Sequence, residues 1–196
     1  MTTYDAIVLA GGRGRRLGGV DKAGLVIGGS PLLDRVLSAV QSASRTVVVG
    51  PSRALPAGVL QVQEEPAGGG PVAGLAAALP LVEGERVVVL ACDLPLLGQG
   101  AVTGLVQDLL AASERGPAAE GMLFVDAGGR RQPLCGAYVT GALRRAVGSL
   151  DVVAGAAMRD VILRLKVSEK AADAEETLDC DDWDDVATAT RIVEGR

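Results

Sequence analysis

Short, almost uninterrupted apolar runs alternate along this chain with longer stretches whose apolar positions recur at helical spacing. Residues 6–10, 46–49, 87–91 and 122–125 are rich in Val and Leu, with little of the polar alternation of a half-solvated strand. They read as strands covered on both faces. Residues 32–43, 72–82 and 101–113 have helical length and amphipathic spacing. Strands alternating with helices predict an α/β domain with a mostly parallel sheet. Further on, 134–138 reads as another strand, 155–163 as a helix and 182–192 as a closing helix. With no internal repeat and no linker-like stretch, residues 1–196 read as one domain.

In open sheets of this kind, ligands bind beyond the carboxyl ends of the strands. The residues that follow each predicted strand therefore carry the functional argument. After the first run comes a loop, residues 10–22, with five glycines and the cations Arg13, Arg15, Arg16 and Lys22. Glycines let backbone N–H groups approach phosphate oxygens closely, and the cations suit a polyanion such as a triphosphate. A plain solvated turn would need no more than an isolated glycine pair. The loop is not a dinucleotide fingerprint, which needs glycine where Leu17 stands, nor a Walker loop, which needs Gly-Lys-Ser/Thr.

A second glycine-rich stretch, Gly68-Gly69-Gly70, precedes Pro71 at the start of the 72–82 helix. An exposed helix N-terminus there would suit an anion or a base edge. The 87–91 strand ends in Cys92-Asp93-Leu94-Pro95. Pro95 cannot extend the sheet, so the chain turns away and leaves Asp93 at the strand end, where a carboxylate can bind a hard cation beside phosphates. Near the C-terminus, residues 179–185 hold five acids in seven positions, without the glycine of an EF-hand loop. Asp182 is placed to cap the closing helix, with Asp184 and Asp185 at its positive end. Asp179 and Asp181, two apart in what reads as a short strand, would share a face and could complete a metal site with Asp93.

Composition removes several classes of function. Hydrophobic residues make up 48% of the 196 but aromatics only 2%, and the net charge is −5. A stacking platform for single strands and a broad basic face are both missing, which argues against nucleic acid as a partner. Without histidine, zinc hydrolysis and serine–histidine chemistry are excluded. Three widely spaced cysteines suggest buried thiols in a reducing compartment. The apolar run at 6–10 lacks a basic leader, and the 72–82 stretch, interrupted by Pro80, is far short of the roughly 20 residues of a membrane helix. The expectation is a cytoplasmic protein that neither spans nor lies on a membrane.

Leu9-Ala10-Gly11-Gly12, then Arg16-Leu17-Gly18-Gly19, then Asp21-Lys22 resembles the signature of the molybdenum cofactor guanylyltransferases, the MobA family. This family belongs to a nucleotidyltransferase superfamily that includes sugar-nucleotide pyrophosphorylases. Gly70-Pro71-Val72-Ala73-Gly74 and Gln132-Pro133-Leu134 are similar to further family segments, in the same order along the chain. The resemblance implies a three-layer Rossmann-like fold of the nucleotide-diphospho-sugar transferase type. It implies transfer of GMP from GTP to the phosphate of Mo-molybdopterin, with Mg²⁺ as cofactor and molybdoenzymes or their chaperones as recipients of the product.

Carried over residue by residue, the resemblance puts the nucleotide on the backbone of Leu9, Ala10, Gly11 and Gly12, with Gly70 beside it. Lys22 and Arg16 would act on the phosphates, Asp93 and Asp181 on magnesium, and Arg131, Gln132 and Pro133 on the pterin acceptor. The acid pair Asp179 and Asp181 and the helix start that follows vary the family's Asn/Asp and Thr-Pro-Glu-Asp pattern, and two further positions depart from it. Gly50 stands where members can carry Asn, and Glu65 where an Asp precedes the glycines. Both bear on the nucleotide, so CTP-dependent cytidylyl transfer to the same pterin stays open. So do guanylyl transfer to a different phosphorylated acceptor and a non-catalytic role as a nucleotide-binding regulator.

Overall fold

The structure, a computed structural model, describes residues 3–115 and 118–196. Its frame is a seven-stranded sheet built from β1 (Asp5–Leu9), β2 (Thr46–Val49), β3 (Leu60–Val62), β4 (Arg86–Ala91), β5 (Gly121–Val125), β6 (Arg131–Val139) and β7 (Val167–Ala171). The strand order is β7-β5-β6-β4-β1-β2-β3. β4, β1, β2 and β3 run parallel to one another and β7 runs parallel to β5, while β6 is antiparallel to both its neighbours. This is the expected mostly parallel sheet, with one reversed strand inside it.

Among the described residues six α-helices accompany the sheet: α1 (Leu32–Ala39), α2 (Pro71–Ala78), α3 (Gln99–Arg115), α4 (Thr140–Gly148), α5 (Met158–Ile162) and α6 (Trp183–Glu194). The continuous apolar strands follow from coverage of both faces. Ala6, Val8, Val48, Val88 and Leu90 pack into one core with Val36 of α1 and Leu105 of α3. Ile7, Val47, Val49, Val87 and Val89 enter the opposite core with Leu75 of α2 and Leu143 of α4. Successive residues of one strand thus feed different cores, as the two-residue period requires.

A third, smaller core joins the two ends of the chain. Leu17, Ile27 and Leu32 meet Cys180, Val186 and Ala189 there. It holds the segment before α6 against the first loop.

Several element boundaries differ from the pattern reading. α2 stops at Ala78 and passes into a 3-10 turn, Leu79–Leu81, because Pro80 has no N–H to donate. α1 ends at Ala39, well short of residue 43, and α5 begins only at Met158. β3 and β7 have too little periodic signal to have been expected, and α4, although amphipathic, is not among the expected helices. The Asp179–Asp181 run is not a strand: it is irregular and leads to Asp182, which caps α6 by accepting from the backbone N–H of Asp184 and Asp185. Asp185 completes the capping box, in keeping with the acids at the helix start. Among the described residues no helix is long and apolar enough to cross a membrane.

Candidate nucleotide and metal site

Parallel register brings the loaded strand ends together. Leu9 is paired with Val49 on one side and Ala91 on the other, so β1, β2 and β4 end at one level. The ladder continues past the strands through Ala10 N–H to the Val49 carbonyl (2.7 Å) and Cys92 N–H to the Leu9 carbonyl (3.0 Å). Beyond these ends lies a cleft of about 560 Å³, to which Leu9, Gly11, Gly12, Lys22, Gly70 and Asp93 all contribute. Gly74 allows α2 to sit close behind it, since a Cβ there would lie 3.2 Å from the side chains of Leu9 and Val49.

At the mouth of the cleft, Lys22 Nζ donates to Asp93 Oδ2 at 2.9 Å and to Asp181 Oδ1 at 2.5 Å. The Lys22 and Asp93 side chains are 11% and 18% exposed, whereas Asp181 is 44% exposed. Burial by itself would lower the Lys22 pKa, but the hydrogen bonds and charges of Asp181 and Asp93 outweigh it and hold the ammonium well above its usual range. The hydrogen bond from Lys22 correspondingly depresses the Asp181 carboxyl. Asp181 reaches this position because Cys180 N–H donates to the Asp93 carbonyl at 3.1 Å, tying the C-terminal run to the end of β4. Asp179 lies nearby, and desolvation together with the charges of Asp181 and Asp93 raises its carboxyl.

The remaining expected residues divide. Arg16 stands at the rim, 3.5 Å from Asp181 and largely exposed. The side chains of Arg13 and Arg15 lie outside the described residues. Ala10 is buried beneath the loop. Gly50 does not face the cleft as a reading residue: its φ is +147°, and a Cβ would stand 2.9 Å from the Ala10 carbonyl carbon and oxygen. Glycine is what lets β2 support the first loop this closely, and an Asn would have to displace it.

Glu65 is exposed and off the cleft, and its neighbour Glu64 is the residue in the wall. Glu64 is 8% exposed; Oε1 accepts from the Gly68 N–H at 2.9 Å, and Oε2 is buried without a partner. Two adjacent glutamates look alike in sequence, and only the path of the chain beyond β3 decides which one turns inward.

Arg53 is a second residue missed by pattern. Its guanidinium braces the first loop from behind, donating to Asp21 at 3.1 Å and to the Ala10 carbonyl at 3.4 Å. On the acceptor side, Arg131 pairs with Glu169 and Gln132 donates to Asp126, and neither lines the cleft. β6 is irregular between Gln132 and Gly136, where Pro133 is tolerated, and Tyr138 Oη donates to the Pro133 carbonyl at 2.7 Å. Leu134, from this bulge, is the residue that reaches the cleft.

The arrangement can hold phosphates against loop amides and a lysine, and can offer two carboxylates to a hard cation. Among the described residues no three His, Cys, Asp or Glu side chains gather as a complete metal site. Two carboxylates converging on one cation nevertheless fit magnesium, which characteristically takes one or two protein carboxylates and fills its shell with phosphate oxygens and water. Covalent cysteine chemistry has no place here. All three thiols are buried, and burial pushes Cys92 and Cys135 up to about 12.

Fold and cleft together define a nucleotidyltransferase type of α/β domain. Residues 6–169 match the family described as MobA-like NTP transferase domain, and the chain belongs to that family. A molybdenum cofactor guanylyltransferase of Pseudomonas entomophila (strain L48) is 40% identical over 106 residues, 52% of this chain and 56% of the relative. One from Shewanella loihica is 30% identical over 135 residues, 66% of each chain. The match to the Pseudomonas relative spans little more than half of that protein's length. Among solved structures, molybdopterin-guanine dinucleotide biosynthesis protein A from Archaeoglobus fulgidus superposes with a TM-score of 0.72 at 22% identity, over 98% of this chain and all of the Archaeoglobus chain. At that identity the likeness is one of fold.

Proposed function

We propose that this chain transfers GMP from GTP to the phosphate of Mo-molybdopterin, releasing pyrophosphate and forming the guanine dinucleotide. The observation that carries the transferase reading is the junction of Lys22 with Asp93 and Asp181 at the mouth of a glycine-lined cleft. Membership of the MobA-like family and the guanylyltransferase relatives supply the substrate class. An acceptor phosphate oxygen attacks the α-phosphorus, the new P–O bond forms, and the bond to the β-phosphate bridge oxygen breaks. An ionised phosphate nucleophile requires no general base, which fits a chain without histidine.

The protein's own contribution is positioning and charge neutralisation. Amides of Gly11 and Gly12 would hold the nucleotide, and Lys22 would follow the charge onto the departing pyrophosphate. Asp93 and Asp181 would hold Mg²⁺, which when bound supplies Lewis-acid polarisation of phosphoryl oxygens. Glu64 favours guanine over cytosine. Its unpartnered carboxylate oxygen in the cleft wall is an acceptor, and the guanine edge carries two adjacent donors, N1–H and the N2 amino group. Passage of the product to molybdoenzymes or their chaperones belongs to the same proposal, as does a cytoplasmic location.

Pyrophosphate release tests this reading, with Mg²⁺ and molybdopterin, with and without molybdenum, and GTP, CTP, ATP and UTP compared. GTP-selective release is the expected result. Selective release with CTP would move the chain to cytidylyl transfer, and binding without release would mean a different acceptor or a regulator.

A further inference from the structure

The Lys22 ammonium occupies the gap between Asp93 Oδ2 and Asp181 Oδ1, 2.9 and 2.5 Å from the two oxygens. A magnesium ion bonded to both oxygens, at about 2.0–2.1 Å from each, would need that same gap. The ammonium is also confined there, as the Lys22 side chain is 11% exposed. We infer that Lys22 is an exchangeable internal cation that keeps the nucleotide-free site closed to divalent metal, so that the metal enters together with the triphosphate.

The balance of charge supports the exchange. Without ligand, Lys22 and the nearby Arg16 offset the charges of Asp93 and Asp181, with the Asp179 carboxyl close by. A divalent ion arriving alone would have to expel a lysine bonded to both carboxylates, and would bring no anion to receive it. A triphosphate seated on the glycine loop supplies that anion. Lys22, at the end of the same loop, can follow it, because its ammonium is held by side-chain contacts to Asp93 and Asp181. One positive charge then leaves the carboxylates as two arrive. This order rests on the reading that Asp93 and Asp181 are the metal carboxylates.

The test is Mn²⁺ titration of the full chain, without nucleotide or acceptor, with free Mn²⁺ followed by electron paramagnetic resonance. Lys22→Met should gain one Mn²⁺ site at least about tenfold tighter than wild type, and Lys22→Met/Asp93→Asn should lose it again. Lys22→Arg, which keeps a cation in place, should bind Mn²⁺ as weakly as wild type. Mn²⁺ should raise the melting temperature of Lys22→Met and leave that of wild type unchanged. Should Lys22→Met not fold, Lys22→Gln serves the same comparison. Equal affinity in wild type and the neutral variants would overturn the inference, whether both bind tightly or both weakly. Because no nucleotide is present, a failure of GTP turnover would leave this result standing, and the reverse also holds.

Discussion

Lys22 and Asp181 stand 159 positions apart in the chain, yet the lysine ammonium donates to the aspartate carboxylate at 2.5 Å, at the cleft mouth. The contact closes the molecule's two ends over the strand end that carries Asp93. Two features enforce it: the Cys180 N–H bond to the Asp93 carbonyl, and the small core in which Leu17 meets Cys180 and Val186. Under the proposed function, most consequences for activity run through this junction.

Asp93→Asn should lower the rate of pyrophosphate release by roughly 10³-fold, in keeping with the loss of a group that acts on transition-state charge. The side chain makes its described contact with Lys22 alone, beyond the end of β4, so the far-ultraviolet circular dichroism spectrum should not change. Full activity in this variant would remove Asp93 from the chemistry.

Glu64→Gln should erode the preference among bases. The amide replaces an acceptor with a donor opposite guanine's own donors, and a mismatched buried polar group is heavily penalised. The GTP-to-CTP ratio of kcat/KM should fall at least about tenfold, with KM for GTP rising. An unchanged ratio would separate Glu64 from base recognition.

Leu17→Ala should cost about 2–5 kcal/mol of stability in urea unfolding, the range for emptying a packed leucine site. Leu17 is 1% exposed and contributes to the core that fixes the segment before α6. Because that core places Asp181, turnover should fall at temperatures where the variant is still folded. Loss of stability with no loss of turnover would mean that Asp181 is positioned by contacts outside this core.

The Lys22–Asp181 pair also sets a pH dependence. The Asp181 carboxyl is depressed in the folded state, so its contribution is present above the unfolded value of about 3.9 and disappears as pH falls through the lower folded value. Lys22 is raised, so its contribution is complete below about 10.4 and is lost only as pH rises through the higher folded value. Between these limits the pair contributes a constant amount. With Asp181 at 44% exposure, solvent screening keeps this to about 0–1 kcal/mol. Thermal melts of wild type and Asp181→Asn should therefore converge as pH drops below about 4 and differ by a fixed, small amount near neutrality.

What the chain declares locally was legible. Continuous Val and Leu runs located β1, β2, β4 and β5, because a strand covered on both faces has nowhere to place polar residues. The first glycine loop, Asp93 and the capping acids of α6 were legible for the same reason, since backbone conformation, strand termination and helix capping are short-range effects. β3 and β7 were not: Leu60–Val62 is too short to show a period, and Val167–Ala171 includes Ser168, Glu169 and Lys170 on a sheet edge. Their strand state comes from pairing with β2 and β5.

The same division runs through the site. Sequence alone determined which residue types follow each strand, and so the chemistry available. Tertiary structure decided which of them meet. It turned Glu64 rather than Glu65 into the cleft, engaged Arg131 and Gln132 with Glu169 and Asp126, and set Gly50 beneath Ala10 as a support. It also carried Asp181 across the whole chain to Lys22. The physical reason is range: propensity and capping act within a few residues, while side-chain convergence depends on sheet register and on cores assembled from distant segments.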